Sequence, residues 1–248
     1  MLLHMDTQEP RHIVSRRNRP AKSPLSREVI VATALDLLTR DGLSGLSLRK
    51  VAAALDTGPA SLYVYVANLG ELHALMLDRA LGAVALPVSR AGGWRDRLVA
   101  VLASYLRVLC DGPGLAQLAL STIPAGPHTL RLIETLLALL LEGGIDPAVA
   151  AWAVDLLTLQ VAAVAAEQSV RRVTGDTFGP ITRAVGAASA ADYPHIHALR
   201  TELFSGGIAR FGWGIDLLIN GILHAPALPT AEAESDLPDT HTPIRHQR

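Results

Sequence analysis

One cysteine, Cys110, stands in 248 residues. No disulfide can form within the chain, which excludes a disulfide-stapled secreted scaffold and fits a reducing, cytoplasmic compartment. Aromatic residues make up 4% of the chain and charged residues 18%. Leu, Ala and Val must therefore supply the core, and a chain so poor in charge is not disordered as a whole. The polar opening MLLHMDTQEPRH has no apolar stretch of the kind a secretory signal needs. No Gly-rich phosphate loop is present, and the nine histidines include no HExxH or comparable metal spacing. For an enzyme this leaves Cys110 with some histidine, or His195 with His197, none with a base placed beside it. No catalytic residue, metal site or cofactor is expected.

What is there is apolar and helical. Half of the residues are hydrophobic, and the mean hydropathy is +0.30. The best candidate for a membrane span, residues 148–166, is rich in Ala and carries Asp155, Thr158 and Gln160. A central Asp costs about 2.5–3.5 kcal/mol on insertion, so this segment reads as a helix buried in protein, and no membrane partner is expected. Charge is uneven. From Arg11 to Val66 nine Lys and Arg face four Asp and Glu, a balance of +5, whereas residues 67 onward hold thirteen against seventeen, or −4. A basic first quarter on a weakly acidic body suggests contact with a polyanion, with a merely solvated basic tail as the alternative.

Breakers and apolar spacing divide the chain. Residues 1–24 read as a flexible basic arm and 225–248, with Pro226, Pro229, Pro238 and Pro243, as a disordered tail. Between them lie helices and no convincing strand. A helix over 26–41 opens on Ser26 as N-cap, places Ile30, Ala34, Leu37 and Leu38 on one face, and ends at Gly42. A second over 47–55 buries Leu48, Val51, Ala52 and Leu55. Asp56-Thr57-Gly58 then turns the chain, and Pro59 opens a helix of about two turns, where its missing N–H costs nothing. Leu62 and Val66 anchor that short helix on its neighbours, which leaves Ala60, Ser61 and Tyr65 around the exposed part. An anchored short helix with a small, polar N-terminal face suits a helix-turn-helix over residues 47–66. A longer helix follows over 68–85. After Ala91-Gly92-Gly93 the spacing predicts helices over 94–111, 114–121, 128–142, 147–172, 194–204 and 207–223, with residues 175–192 either loop or irregular helix. Asp146-Pro147 is a clear helix start.

The stretch SREVIVATALDLLTRDGLSGLSLRKVAAALDTGPASLYVYVANLGELHALMLDRAL resembles, without a gap, the DNA-binding domain of the tetracycline-repressor (TetR) family. Leu62 and Tyr63 sit where that family has its Leu-Tyr pair. FGWGIDLLINGI, from Phe211 to Ile222, resembles the last-helix motif of the subgroup nearest the tetracycline repressors themselves. The resemblance implies an all-α fold with a three-helix helix-turn-helix DNA-binding domain (25–86) and a larger helical ligand-binding and dimerisation domain (94–224). It implies a homodimeric repressor that holds a palindromic operator and is released by a small-molecule effector. Ser47 would cap its helix and offer its hydroxyl to a phosphate. Thr57, Tyr63 and Tyr65 would bond phosphates, and Arg49 and Lys50 would face the groove or backbone. Gly58 would cap the recognition helix, and Pro59, Ala60 and Ser61 would touch base edges. Arg16, Arg17, Arg19 and Lys22 would lie in the minor groove or along phosphates. The alternatives are a core role for Tyr63, a surface charge for Arg49 and a solvated arm.

Two departures stand out. A lysine that the family often places after the recognition helix is missing among Ala67, Leu69 and Gly70, and Asp56 replaces the usual turn glycine. The family's ligand histidine, by ungapped count, falls at Ala85, so a metal-held ligand is not expected. Apolar helices 147–172 and 207–223 would dimerise as a four-helix bundle through Trp152, Leu156, Phe211, Gly214, Ile215, Leu218 and Ile222. Tyr105, Gln117, His128, Trp152, Gln160, Glu167 and Gln168 are the candidate effector contacts. The rival readings are an enzyme, and a helical interaction protein that keeps the fold without specific DNA binding.

Overall fold

The computed structural model describes residues 24–89, 91–175, 179–207 and 209–226. The arm residues Arg16, Arg17, Arg19 and Lys22 lie outside them, as do residues 227–248 of the expected tail. Eleven α-helices and no strand occur among the described residues: α1 Arg27–Asp41, α2 Leu48–Ala54, α3 Pro59–Leu62, α4 Leu69–Leu81, α5 Trp94–Asp111, α6 Leu115–Ser121, α7 Pro127–Glu142, α8 Pro147–Thr174, α9 Gly179–Ala187, α10 Pro194–Ala198 and α11 Ala209–Leu223. The fold is all-α, with an N-terminal helix-turn-helix domain and a larger helical domain behind it.

Local chemistry sets most of the boundaries. Ser26 accepts from the Val29 N–H and starts α1, and Ser47 accepts from the Lys50 N–H and starts α2. Asp146 accepts from the N–H groups of Ala148 (2.9 Å) and Val149 (3.2 Å), and Pro147 follows it in α8. Three boundaries differ from the sequence expectation by more than two residues. Helix α3 ends at Leu62 and continues as a tighter turn in which the Tyr65 and Val66 N–H groups both reach Leu62 O. Helix α4 stops at Leu81, not near residue 85, because the Ala85 N–H is drawn out to Ser104 Oγ of α5 at 2.8 Å. The helix expected over 194–204 is only five residues long: it is capped at Leu199, and the chain runs on in turns to Phe204, at a φ of 61°.

In the core α8 packs against α5, α6, α7 and α11. By length and composition α8 is apolar enough to cross a membrane. Its Ala150, Ala153, Leu157, Val161 and Ala165 are nevertheless buried against the other helices. Arg172 of α8 donates to Cys110 O at the end of α5 (2.6 Å). Arg95 at the start of α5 holds α11 through Asp216 (3.0 Å) and Asn220 (2.8 Å).

The two parts touch through α4, which packs on α1, α5, α6 and α7. Asp78 of α4 is 6% exposed and accepts from both the backbone N–H and the hydroxyl of Thr129, each at 2.8 Å. It thereby caps the first turn of α7 from a different helix. Helix α6 rests on α1 at Gly114. Its φ of +81° is left-handed, and a Cβ there would come within 2.6 Å of Leu38 Cδ1. Gly114→Ala therefore meets both a conformational and a steric penalty, and chemical denaturation is expected to show a loss of about 2 kcal/mol.

Candidate DNA-reading face and effector cavity

Leu62 and Val66 are fully buried with Ile30, Val51 and Ala52, so α3 is held on α1 and α2. That anchoring leaves Gly58, Pro59, Ala60 and Ser61 exposed. The turn before them carries Asp56 at a φ of 50°, the left-handed conformation a glycine usually takes and Asp tolerates. Thr57, half-buried, donates its N–H to Ala52 O at 2.9 Å and closes the turn.

Tyr63 is 57% exposed, so it is not a core residue here. Arg49 is exposed and has no ion pair or hydrogen bond among the described residues. Lys50, also exposed, sits 3.4 Å from Asp41 Oδ2. Tyr65 is half-buried, and its carbonyl accepts from Arg27 Nε at 3.1 Å. One exposed residue had no expected role. Val64, 81% exposed, stands beside Tyr63. Helical spacing turns it about 200° from Leu62, onto the face opposite the buried pair Leu62 and Val66. Where the lysine is missing, the chain builds a helix cap instead. Asn68 accepts from the Glu71 N–H (2.9 Å), and Glu71 reaches back to the Ala67 N–H (2.5 Å).

Behind this face lies a cavity of about 590 Å³, walled by α4, α5, α6, α7 and α8, within the range of drug-sized ligand sites. Its wall is chiefly apolar, with Leu77 and Leu81 of α4 among the lining residues. Tyr105 lines it, 6% exposed, and burial pushes its phenol up to about 12, so the ring is neutral at ordinary pH. Thr129, Asp155 and Thr158 also line it. These three were not among the expected contacts, because a Thr or Asp inside an apolar helix reads equally well as cap or surface.

The other candidate effector contacts lie elsewhere. Gln160, Glu167 and Gln168 face a separate groove of about 310 Å³ between α8 and α11, with Trp213 and Gly214. They sit on a different side of α8 from Asp155 and Thr158, because a helix advances 100° per residue. His128 lies over Gly82, where a Cβ would approach its Cε1 to 2.9 Å. Gln117 lies on α6 outside the cavity lining, and Trp152 is 56% exposed on the outside of α8.

The expected interface residues also divide. Phe211, Ile215 and Ile222, expected at a subunit interface, are buried in the chain's own core. Spaced at four and seven residues, they form the inward stripe that seats α11 on α8. Trp152 and Leu156 of α8 are exposed, as are Trp213 and Leu217 of α11, and Gly214 and Leu218 are half-buried between them.

Cys110 is buried, and its thiol points at Gln168 Oε1 at 3.4 Å. Burial pushes its pKa up, against the pull of Arg172. That favours the thiol over the nucleophilic thiolate.

Residues 86–225 match a family described as the tetracyclin repressor-like, C-terminal domain. An HTH-type transcriptional regulator of Saccharopolyspora erythraea is 40% identical over 123 residues, which cover 50% of this chain and 52% of that one. The match thus spans about half the length of that relative. The HTH-type transcriptional repressor DrrR1 of Streptomyces coeruleorubidus is 31% identical over 217 residues, 82% of this chain and 80% of that one. Among solved structures, ActR of Streptomyces coelicolor in complex with actinorhodin superposes with a TM-score of 0.76 at 33% identity. It covers 81% of this chain and 98% of its own.

Proposed function

The chain belongs to the tetracycline-repressor (TetR) family of transcriptional regulators, and from that premise we propose that it is a homodimeric repressor. It holds a palindromic operator and lets go when a small molecule fills the cavity behind the reading head. One observation carries the effector reading: Leu77 and Leu81 belong to the cavity wall and to α4, the helix joined directly to the recognition helix. A molecule that prefers one position of α4 therefore biases the heads by the difference in its affinity for the two arrangements. The structural neighbour ActR, solved in complex with actinorhodin, supports a small-molecule effector for this fold.

For DNA, α3 presents Pro59, Ala60 and Ser61 to base edges, flanked by exposed Arg49 and Tyr63 for phosphates. The reading residues carry no charge and make no bidentate guanine contact. Affinity then comes largely from phosphates and from engaging two half-sites, with the arm residues Arg16, Arg17, Arg19 and Lys22 as further cations. The missing lysine gives weight to the rival, a helical interaction protein without specific DNA binding. A gel shift with the DNA just upstream of the chain's own gene separates the two. Binding that falls steeply with salt is expected, since phosphate neutralisation releases counterions. No shift at low salt with that DNA or the neighbouring intergenic region would favour the rival.

Within the repressor reading, Tyr63→Phe is expected to weaken binding by about tenfold, the scale of one hydrogen bond to a charged group. The loss should be equal across operator variants, and a loss confined to one base position refutes a phosphate role. Ser61→Ala is expected to shift preference at particular bases instead, read by selection from a randomised operator.

A further inference from the structure

The cavity carries an asymmetry of charge. Among the described residues that line it, Asp155 is the one with a formal charge, and no cation lines it. Its carboxylate is exposed and makes no hydrogen bond or ion pair among the described residues. The neighbouring hydroxyl is committed as a donor. Thr158 Oγ1 donates to Val154 O (2.8 Å) and lies 3.1 Å from Asp155 O, so towards a guest it offers a lone pair. One helical turn of α8 thus sets two acceptors, Asp155 and Thr158, side by side on the cavity wall. Deeper in, Thr129 Oγ1 spends its proton on Asp78 in the same way. Tyr105 is the exception. Its Oη has no partner among the described residues, and as a neutral phenol it can donate.

We infer that the effector is an amphipathic cation: an apolar body enclosed by α4, α6 and α7, with a cationic group bearing N–H donors held by Asp155 and Thr158 and an acceptor atom facing Tyr105. This inference rests on the cavity being the effector site. The acceptors on α8 match the several N–H donors of an ammonium, whereas a carboxylate there would meet Asp155 with no cation to offset the repulsion. Asp155 also borders the outer face of α8 that carries Trp152 and Leu156, so a subunit packed on that face would shield the pair from solvent and strengthen it.

Three tricycles of one shape test this on the full chain at neutral pH: cationic 9-aminoacridine, neutral acridine and anionic acridine-9-carboxylate. Fluorescence titration is expected to rank them in that order, with about fivefold between the first two, the upper range for an exposed ion pair. Asp155→Asn should remove the preference and leave acridine affinity unchanged. Asp155→Lys should invert it in favour of the carboxylate. Asp155 is at the surface, so both variants should melt with the parent, and both readouts are ratios within one protein. Ala151→Trp, one turn away on the same wall, should block all three. If acridine or the carboxylate binds as tightly as the amine and Ala151→Trp still blocks it, the cavity remains the effector site and charge selection is overturned. A preference for the amine that survives Asp155→Asn overturns it equally. If no tricycle binds, or Ala151→Trp makes no difference, the cavity reading falls and the inference falls with it.

Discussion

Asp78→Ala is expected to cost about 3 kcal/mol of unfolding free energy, the sum of two charge-assisted hydrogen bonds whose donors stay buried. For a chain of this size that corresponds to a fall in melting temperature of roughly 6–12 °C. The Thr129 N–H belongs to the first turn of α7 and has no intrahelical acceptor, and water does not reach it easily at 7% exposure of Thr129. Thr129→Val removes one donor and leaves the other, so about 1 kcal/mol is expected. Gly126→Ala approaches the same contact from the other side. A Cβ at Gly126 would lie 2.2 Å from Asp78 Cγ and drive the carboxylate away. The two changes should therefore be strongly non-additive. In an Asp78→Ala background Gly126→Ala should be nearly neutral, and a double-mutant cycle reads the coupling. Full additivity would mean that Asp78 does not cap α7. Because Asp78 ties the helix behind the reading head to a helix that lines the cavity, Asp78→Asn should also raise the effector concentration needed for release. Operator affinity without effector should change less.

The helix-turn-helix was legible in the sequence because its determinants are local. Ser47 three residues before Lys50, the turn at Asp56 and Pro59 after Gly58 each act within four residues, and the buried pair Leu62 and Val66 follows from one helical period. The cavity was not legible, because it is made by the relative rotation of five helices. Asp155 and Gln160 both read as polar residues on an apolar helix, yet one faces the cavity and the other the groove beside α11. The same holds for α11, which is apolar on more than one side. Periodicity shows that Phe211, Ile215 and Ile222 share a stripe but not whether that stripe meets its own core or another subunit. Asp78 was missed for a related reason. Its partner Thr129 lies 51 residues away, beyond the reach of any spacing rule.

If the proposed homodimer forms on this face, Leu217→Arg, on the exposed side of α11, is expected to give a monomer and to weaken operator binding by about a hundredfold or more. Leu156→Arg on α8 should do the same. The reasoning starts from exposure. Trp152, Leu156, Trp213 and Leu217 are each 45% exposed or more, and all four lie on the outer sides of the two long apolar helices. A Cβ at Gly212, Gly214 or Gly221 would meet nothing within 4 Å, so another helix has room to approach. In a two-fold interface each substitution enters twice, and a buried unpaired charge costs several kcal/mol at each entry. Once the subunits part, each head binds its half-site alone. The gain from linking two sites, commonly 10²–10⁴-fold, is then lost without any change to residues 47–66. Light scattering and a gel shift on the same samples check both halves of this expectation, with Val88→Arg as control because Val88 is fully exposed in the loop before α5. A monomeric variant with undiminished affinity would show that one head suffices, and the palindrome would lose its physical basis. Variants that stay dimeric at full affinity would place the interface on another face of the molecule.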